Sequence, residues 1–458
     1  MRATPLSHLE PTPLSPTMPT PLDRASRIVS DVRSGEALTA VLFASALFVG
    51  LFSYYVLKTV REPLILATGG AEVKTYATAM QAVVLMAVVP IYGVLARRLS
   101  RRALVLGTQV FFVIAVESFA WLASFRLPYL GIVFYVFLGV YVLTSVAQLW
   151  ALANDVYPQA QGMRLFPLVA LGAPLGSAAG ALFASRLFDG SSAISTLIHA
   201  SAGLLLLQWL LLRSVLARPE ATRAVPSLDG PGGFRLVWQS GYLRWVALLV
   251  VLLNLVNTTG EFLLSRAVLD EAARALEATT ASGTIVQDTR AFRETFIRGA
   301  YGDFYFVVNA ASVLVQIFIA SRLTRHLGMR GVLLALPLVA FGTYGLAALG
   351  LPFVLFRALK IAENATDYSI QNTGKALLWL PTSRDEKYKA KQVVDAYFMR
   401  FGDVLSALLV FVAATLLTLD ARVIAIVNAA FSLVALAVAW RVARGHGDAS
   451  AAADGVAA

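Results

Sequence analysis

From residue 38 onward the chain alternates between apolar runs and short polar breaks. An apolar run of about 20 residues crosses a bilayer as one helix. Runs at roughly 39–57, 76–96, 103–125, 129–152, 165–188, 193–217, 243–265, 303–321, 331–350, 352–370, 393–418 and 422–440 predict twelve spans. Two longer polar stretches interrupt the series. Residues 218–240, with Pro219, Pro226 and Pro231-Gly232-Gly233, read as a linker. Residues 266–300 mix charges and are expected to carry a short surface helix around Ala267–Ala278. Residues 1–37 hold Pro5, Pro11, Pro13, Pro16, Pro19 and Pro21, which forbids a helix, and lack the charged–apolar–small order of a signal peptide. They read as a disordered cytoplasmic arm, and residues 443–458 as a cytoplasmic tail. Between them lie two bundles of six spans, 38–217 and 241–442.

Composition agrees with a membrane chain. Of 458 residues, 58% are hydrophobic and 14% charged, against about 25% charged in a soluble domain. A soluble enzyme, a disordered protein and a fibrous one are excluded. With no cysteine, disulfides, thiolate metal sites and cysteine nucleophiles are excluded too, and four histidines leave little for a metal cluster.

The net charge of +11 is unevenly placed. Alternate loops carry Arg97, Arg98, Arg101 and Arg102, then Arg164, then Arg218, Arg223 and Arg235. The same side carries Arg322, Arg325 and Arg330, then Lys375, Arg384, Lys387, Lys389 and Lys391, then Arg441 and Arg444. The opposite loops offset few basic residues with acids such as Asp189, Asp270 and Glu271. Positive loops face the cytoplasm. Both termini are therefore expected there, in a bacterial-type inner membrane, and the charge needs no nucleic-acid partner.

The halves repeat one another. Leu95-Ala-Arg-Arg-Leu-Ser-Arg-Arg102 follows span two, and Ala320-Ser-Arg-Leu-Thr-Arg-His-Leu-Gly-Met-Arg330 follows span eight. Asn154 with Arg164 ten residues on has a counterpart in Asn364 with Lys375 eleven residues on. An all-α integral membrane protein of twelve helices in two six-helix pseudo-repeats resembles the major facilitator superfamily, whose substrate sits between the halves near the midplane.

Ionisable groups inside spans are costly and mark function or a buried partner. Lys58-Thr-Val-Arg61-Glu62-Pro63 is read as the end of span one, with Lys58 and Glu62 one turn apart and able to pair. In span ten, Arg357, Lys360, Asn364, Asp367, Gln371 and Lys375 form one stripe, flanked by Glu363, that is expected to line a cavity or a salt-bridge network. Span seven puts Asn254, Asn257, Glu261 and Ser265 on one face. Spans eight and eleven add Asp303, Asn309, Gln316 and Asp395, Arg400, Asp403. Glu117 stands alone in span three, where a carried proton or a helix partner would each explain it, the structural reading being preferred. Gly172-x3-Gly176-x3-Gly180 in span five is a close-packing signal. No Gly-x4-Gly-Lys-Ser/Thr loop is present, so transport would run on a gradient or by exchange.

Three stretches resemble the ATP/ADP translocases and NTP/NDP exchangers, nucleotide transporters of plastids and obligate intracellular bacteria. They are Tyr54-Tyr55-Val-Leu-Lys58-Thr-Val-Arg61-Glu62, then Leu149-Trp-Ala-Leu-Ala-Asn154-Asp155 with Arg164-Leu-Phe-Pro167, and Asp367-Tyr-Ser-Ile-Gln-Asn-Thr-Gly-Lys375 with Pro381, Lys387, Lys389, Lys391 and Asp395. The resemblance implies twelve helices and intramembrane lysines and glutamates that bind nucleotide. Arg61 stands where that family usually has lysine, and Ala376 where a glutamate usually follows the lysine.

With the polar faces, this gives a candidate substrate-binding set of Lys58, Arg61, Glu62, Asn154, Asp155, Arg164, Asn257, Glu261, Arg357, Lys360, Asn364, Asp367 and Lys375. The surplus of intramembrane cations suits phosphate oxygens. The expected function is secondary transport, by alternating access, of an anionic, nucleotide or phosphorylated solute, with a monomer in the lipid bilayer and no cofactor. A proton-coupled exporter using Glu117, Glu261, Asp303 or Asp367 is the alternative, and a non-transporting scaffold or receptor a further one. No nucleophile–base pair or metal cluster points to an enzyme.

Overall fold

A computed structural model describes Pro21 and residues 32–33, 35–123, 125, 127–157, 159–186, 193–218, 232–383 and 385–457. Most of the N-terminal arm and of the 218–240 linker lies outside the described residues, as do Asp189, Arg223 and Arg384.

Ten described helices are long and apolar enough to cross a membrane. The first, Ala37–Arg98, is two spans joined at Gly70, whose φ of 77° and ψ of −176° break the helix. Glycine alone adopts that conformation without strain, so the turn falls there, and the ten become eleven spans. The twelfth is 353–377, a helix too charged to register by hydropathy. In order the spans are 37–69, 71–98, Arg101–Ala123, Leu130–Val156, Arg164–Arg186, Ala193–Leu216, Gly241–Ala281, Thr289–Ala320, Arg322–Ala347, 353–377, Lys391–Leu416 and Ala421–Gly447. A short helix, Gly233–Gln239, precedes span seven.

Twelve spans form, but several bounds differ from those read off hydropathy. Lys58-Thr-Val-Arg61-Glu62-Pro63 does not end span one; the helix continues through Pro63 to Gly69. Span two begins at 71, so Lys74 and Thr75 are helical. The surface helix expected at Ala267–Ala278 is the continuation of span seven, which runs unbroken to Ala281. Span eight begins at Thr289, where Asp288 caps it by accepting from the Arg290 and Ala291 amides. The physical reason is common to these cases. An apolar run measures the roughly 30 Å of hydrocarbon, whereas span seven at 1.5 Å per residue is about 60 Å long.

Gly172, Gly176 and Gly180 face the carbonyls of Ala44, Phe48 and Phe52, and a Cβ at any of the three would collide with that backbone. Span five thus lies directly on span one, in register turn by turn.

Near the terminus-side ends each half closes its own core. Phe43, Leu47, Leu149 and Leu152 pack in the first half, and Leu243, Val246, Leu336 and Val438 in the second. At the far ends the halves share a core, where Ile65 and Leu66 pack with Leu263, Leu264, Ile297 and Tyr301. Polar ties cross there too. Tyr76 shares a 2.6 Å hydrogen bond with Thr415, Arg298 donates to the Ala184 carbonyl at 2.7 Å, and Arg186 meets Asp303 at 3.2 Å. The structure is therefore sealed at the far end and faces the side on which the chain enters and leaves the bundle.

Candidate functional site

Between the halves lies a cavity of about 250 Å³ lined by seven spans. The first half contributes Tyr54, Lys58 and Arg61 from span one, Lys74, Thr75 and Thr78 from span two, and Tyr135 from span four. The second contributes Asn254, Asn257, Thr258, Glu261 and Phe262 from span seven, and Tyr305 from span eight. Asn364 and Tyr368 come from span ten, Arg400 and Asp403 from span eleven. Local wide turns at Asp367–Gln371 and Val394–Phe398 adjoin these last two pairs, a departure from α geometry common at functional sites.

Alternating charges run across the wall. Arg61 Nη2 sits 2.5 Å from Glu62, and Glu62 lies 2.7 Å from Lys74. Lys74 donates to the hydroxyls of Ser265 at 2.9 Å and Tyr301 at 3.2 Å, and stands 4.0 Å from Glu261. Glu261 is 3.8 Å from Lys360, which meets Glu363 at 3.1 Å. Tyr344 donates to Glu363, Asn364 to Glu261 at 3.1 Å, and Tyr305 to Glu62 at 2.9 Å. Burying ions costs several kcal/mol each unless partners replace water, and here nearly every buried ion has them.

Lys58 is the exception. Among the described residues no carboxylate lies within 4 Å of it. Its ammonium instead rests on tyrosine rings, 4.1 Å from the Tyr305 centroid, 5.0 Å from Tyr55 and 6.0 Å from Tyr54. The expected Lys58–Glu62 pair does not form, because Glu62 turns to Arg61 and Lys74. Counting the lining, four cations (Lys58, Arg61, Lys74, Arg400) face two anions (Glu261, Asp403). Glu62 behind the wall makes three, which leaves one positive charge over, and Lys58 carries it.

The structure brings some candidates together and keeps others apart. Lys58, Arg61, Asn257, Glu261 and Asn364 line the cavity, with Glu62 directly behind. Lys360 is fully buried beside the Asn257 amide oxygen, so most of the span-ten stripe is a network inside the second half rather than a cavity wall. Arg357 donates to the Ala300 carbonyl instead of a same-helix acid. Asp367 and Lys375 meet at 3.6 Å and do not line this cavity, whereas Arg61 does. Asn154, Asp155 and Arg164 are also outside it, near the terminus-side ends of spans four and five. There Asp155 meets Arg101 at 2.6 Å, and Arg164 forks onto Glu36 at 2.9 and 3.0 Å. Glu117 bonds His199 at 2.8 Å in a groove on the outer face of spans three and six.

Sequence reasoning missed Lys74 and the ring of Tyr135, Tyr305 and Tyr368. Lys74 lay in what read as a loop, and the Gly69-Gly70 pair was the signal that could have moved the turn past Pro63. A tyrosine in a span gives no sequence signal that separates a cavity from an interface.

Fold and site together define an integral membrane protein with the major facilitator fold: two six-span halves enclosing a polar cavity. No protein-family model and no curated protein matches the sequence. Solved structures do match in fold. The nucleoside transporter NupG superposes with a TM-score of 0.63 at 13% identity, over 88% of this chain and 98% of that chain. A bacterial homologue of the iron transporter ferroportin, in an inward-facing state, gives 0.61 at 14% identity over 89% and 98%. The D-xylose–proton symporter gives 0.58 at 14% identity over 88% and 96%.

Proposed function

We propose that the chain is a secondary transporter that carries a compact phosphorylated anion, with a nucleoside phosphate as the leading form, by alternating access. The observation that carries this reading is Lys58, a cation on the cavity wall with no carboxylate partner among the described residues. An anion supplies the missing charge, while the half-buried Tyr54 and Tyr368 on the cavity wall offer aromatic surface for a ring. Size argues for a small member of the class. Ligand pockets usually measure roughly 300–1,000 Å³, and about 250 Å³ suits a monophosphate better than a triphosphate. An ATP/ADP exchanger of the family that the motifs resemble would need a wider cavity than this state offers.

The loop charges support placing the sealed far end outside and the open end toward the cytoplasm, and the similar ferroportin homologue is described as inward-facing. A scaffold would gain nothing from a half-buried intramembrane lysine with no carboxylate partner among the described residues. The test is thermal unfolding of the purified protein with AMP and with adenosine. A ligand that binds only the folded state raises the midpoint. AMP should raise it and adenosine at equal concentration should not; equal shifts, or none with any phosphate compound, would remove the anion site.

A further inference from the structure

A second cavity, of about 220 Å³, lies at the far end of the bundle and wholly within the second half. It shares no lining residue with the central cavity. Span nine ends there at Ala347, and spans ten and twelve begin there at Phe353 and Ala421. Span ends mark the level at which hydrocarbon gives way to headgroups. Span seven does not stop at that level. It runs on to Ala281, and its turns between Leu263 and Arg274 supply another wall of the cavity.

Five charged side chains line the cavity: Arg266, Asp270, Arg274, Asp420 and Arg422. Two of them are engaged. Arg274 meets Glu271 at 2.7 Å, and Arg266 stands a loose 3.7 Å from Glu72 on span two. Asp270, Asp420 and Arg422 have no ion pair among the described residues. Arg422 has a seat all the same. Its guanidinium lies against the Gly350 backbone, so closely that a Cβ at Gly350 would come within 2.8 Å of it. Gly350 also holds φ at 80°, a conformation that suits glycine. The turn between spans nine and ten thus holds the guanidinium at the cavity wall, although Asp420 is only two residues away.

A cation and two carboxylates that share a cavity without pairing are the complement of a ligand that carries both signs. An anion alone would face Asp270 and Asp420 uncompensated, and a cation alone would face Arg422. The volume is below the roughly 300–1,000 Å³ usual for drug-sized ligands, so the ligand is small. An arginine fork suits phosphate oxygens, and at the headgroup level a phosphodiester beside an ammonium is the zwitterion at hand. Leu263, Phe353 and Phe356 supply apolar wall for its methylenes. We propose that this cavity binds a phosphoethanolamine-type zwitterion. Its phosphodiester accepts hydrogen bonds from Arg422 and Arg266, and its ammonium donates to Asp420 and Asp270. The group can come from a lipid headgroup of the far leaflet or from a free glycerophosphodiester.

The probe is glycerophosphoethanolamine, titrated against the lipid-depleted protein in maltoside micelles and followed by ligand-observed magnetic resonance. Binding should be saturable. Inorganic phosphate, ethanolamine and β-alanine, a carboxylate zwitterion, should each bind at least about tenfold more weakly, since each lacks one charge-assisted contact or the phosphate geometry. Arg422→Gln should weaken the probe about tenfold, and Asp420→Asn should do the same, so one of the two suffices if the other does not fold. Phosphatidylethanolamine added to the micelles identifies the source: it blocks the probe if the occupant is a lipid and leaves it bound if the occupant is a free solute. No saturable binding would overturn the assignment. So would equal affinity for any of the three comparison compounds, or an affinity within twofold of wild type in a folded variant. Displacement of the probe by AMP would move it to the central cavity and overturn the assignment as well. None of these outcomes needs AMP to be transported, so this site and the anion site stand or fall separately.

Discussion

Lys58→Met should weaken AMP binding about tenfold to a hundredfold and leave folding nearly unchanged. The magnitude follows from what Lys58 touches. A hydrogen bond from a charged donor to an anion contributes about 1.5–3 kcal/mol, and each 1.4 kcal/mol is a factor of ten. Coulomb attraction at 4 Å and an effective dielectric of about 20, about 4 kcal/mol, sets the ceiling. In the empty protein the ammonium has only the tyrosine rings, 4.1 Å away at Tyr305, a contact of about 0.5–2 kcal/mol. Methionine restores apolar contact in its place and removes a desolvation cost, so the change in stability should stay within about 1 kcal/mol. Arg61→Met is the contrast. Arg61 bonds Glu62 through Nη2 at 2.5 Å and Nε at 3.2 Å and lies 4.0 Å over the Tyr135 ring. Removing it strips a buried carboxylate of one of its two cations, at about 3–5 kcal/mol of folding stability. Titration calorimetry with AMP, beside thermal unfolding in the same buffer, separates the two. Unchanged AMP affinity in Lys58→Met together with a lowered unfolding midpoint would make Lys58 a packing residue and refute the reasoning.

Gly176→Leu should destabilise by more than the usual 1–3 kcal/mol of overpacking and cut membrane yield, since even a Cβ there meets the Phe48 carbonyl; a wild-type unfolding midpoint would contradict the span-one contact. Arg164→Gln should leave AMP affinity within twofold, because Arg164 bonds Glu36 rather than the cavity; a tenfold loss in a stable variant would restore it to the site. Single cysteines at 78, 257 and 368 should react with a small hydrophilic thiol reagent, while those at 365 and 369, at buried positions, should not; equal reactivity would mean that the cavity wall is wrongly drawn.

The fold was largely legible because hydrocarbon imposes a length and a polarity on each span. Spans three, four and six lie close to their apolar runs for that reason. Spans one, two, seven and eight ran past theirs, since a helix does not stop where the bilayer does. The glycine ladder was legible as packing because three small residues at one spacing have few other uses. Site residues were legible where charge interrupted an apolar run, as at Lys58, Arg61 and Glu261. Their pairing was not. Glu62 sits one turn from Lys58 in sequence, yet chooses Lys74, which only the fold of span two brings near. The same stripe logic that picked out Asn364 also picked out Lys360, and only packing shows that one faces the cavity while the other faces Glu363 and Tyr344.

Counterflow in proteoliposomes tests the transport reading most directly. Vesicles loaded with unlabelled AMP and diluted into labelled AMP should transiently accumulate label above its external concentration, and vesicles bearing Lys58→Met should do so about tenfold less well at limiting AMP. Label uptake no greater than in protein-free vesicles, across inorganic phosphate, a hexose phosphate, AMP and ADP alike, would contradict the account.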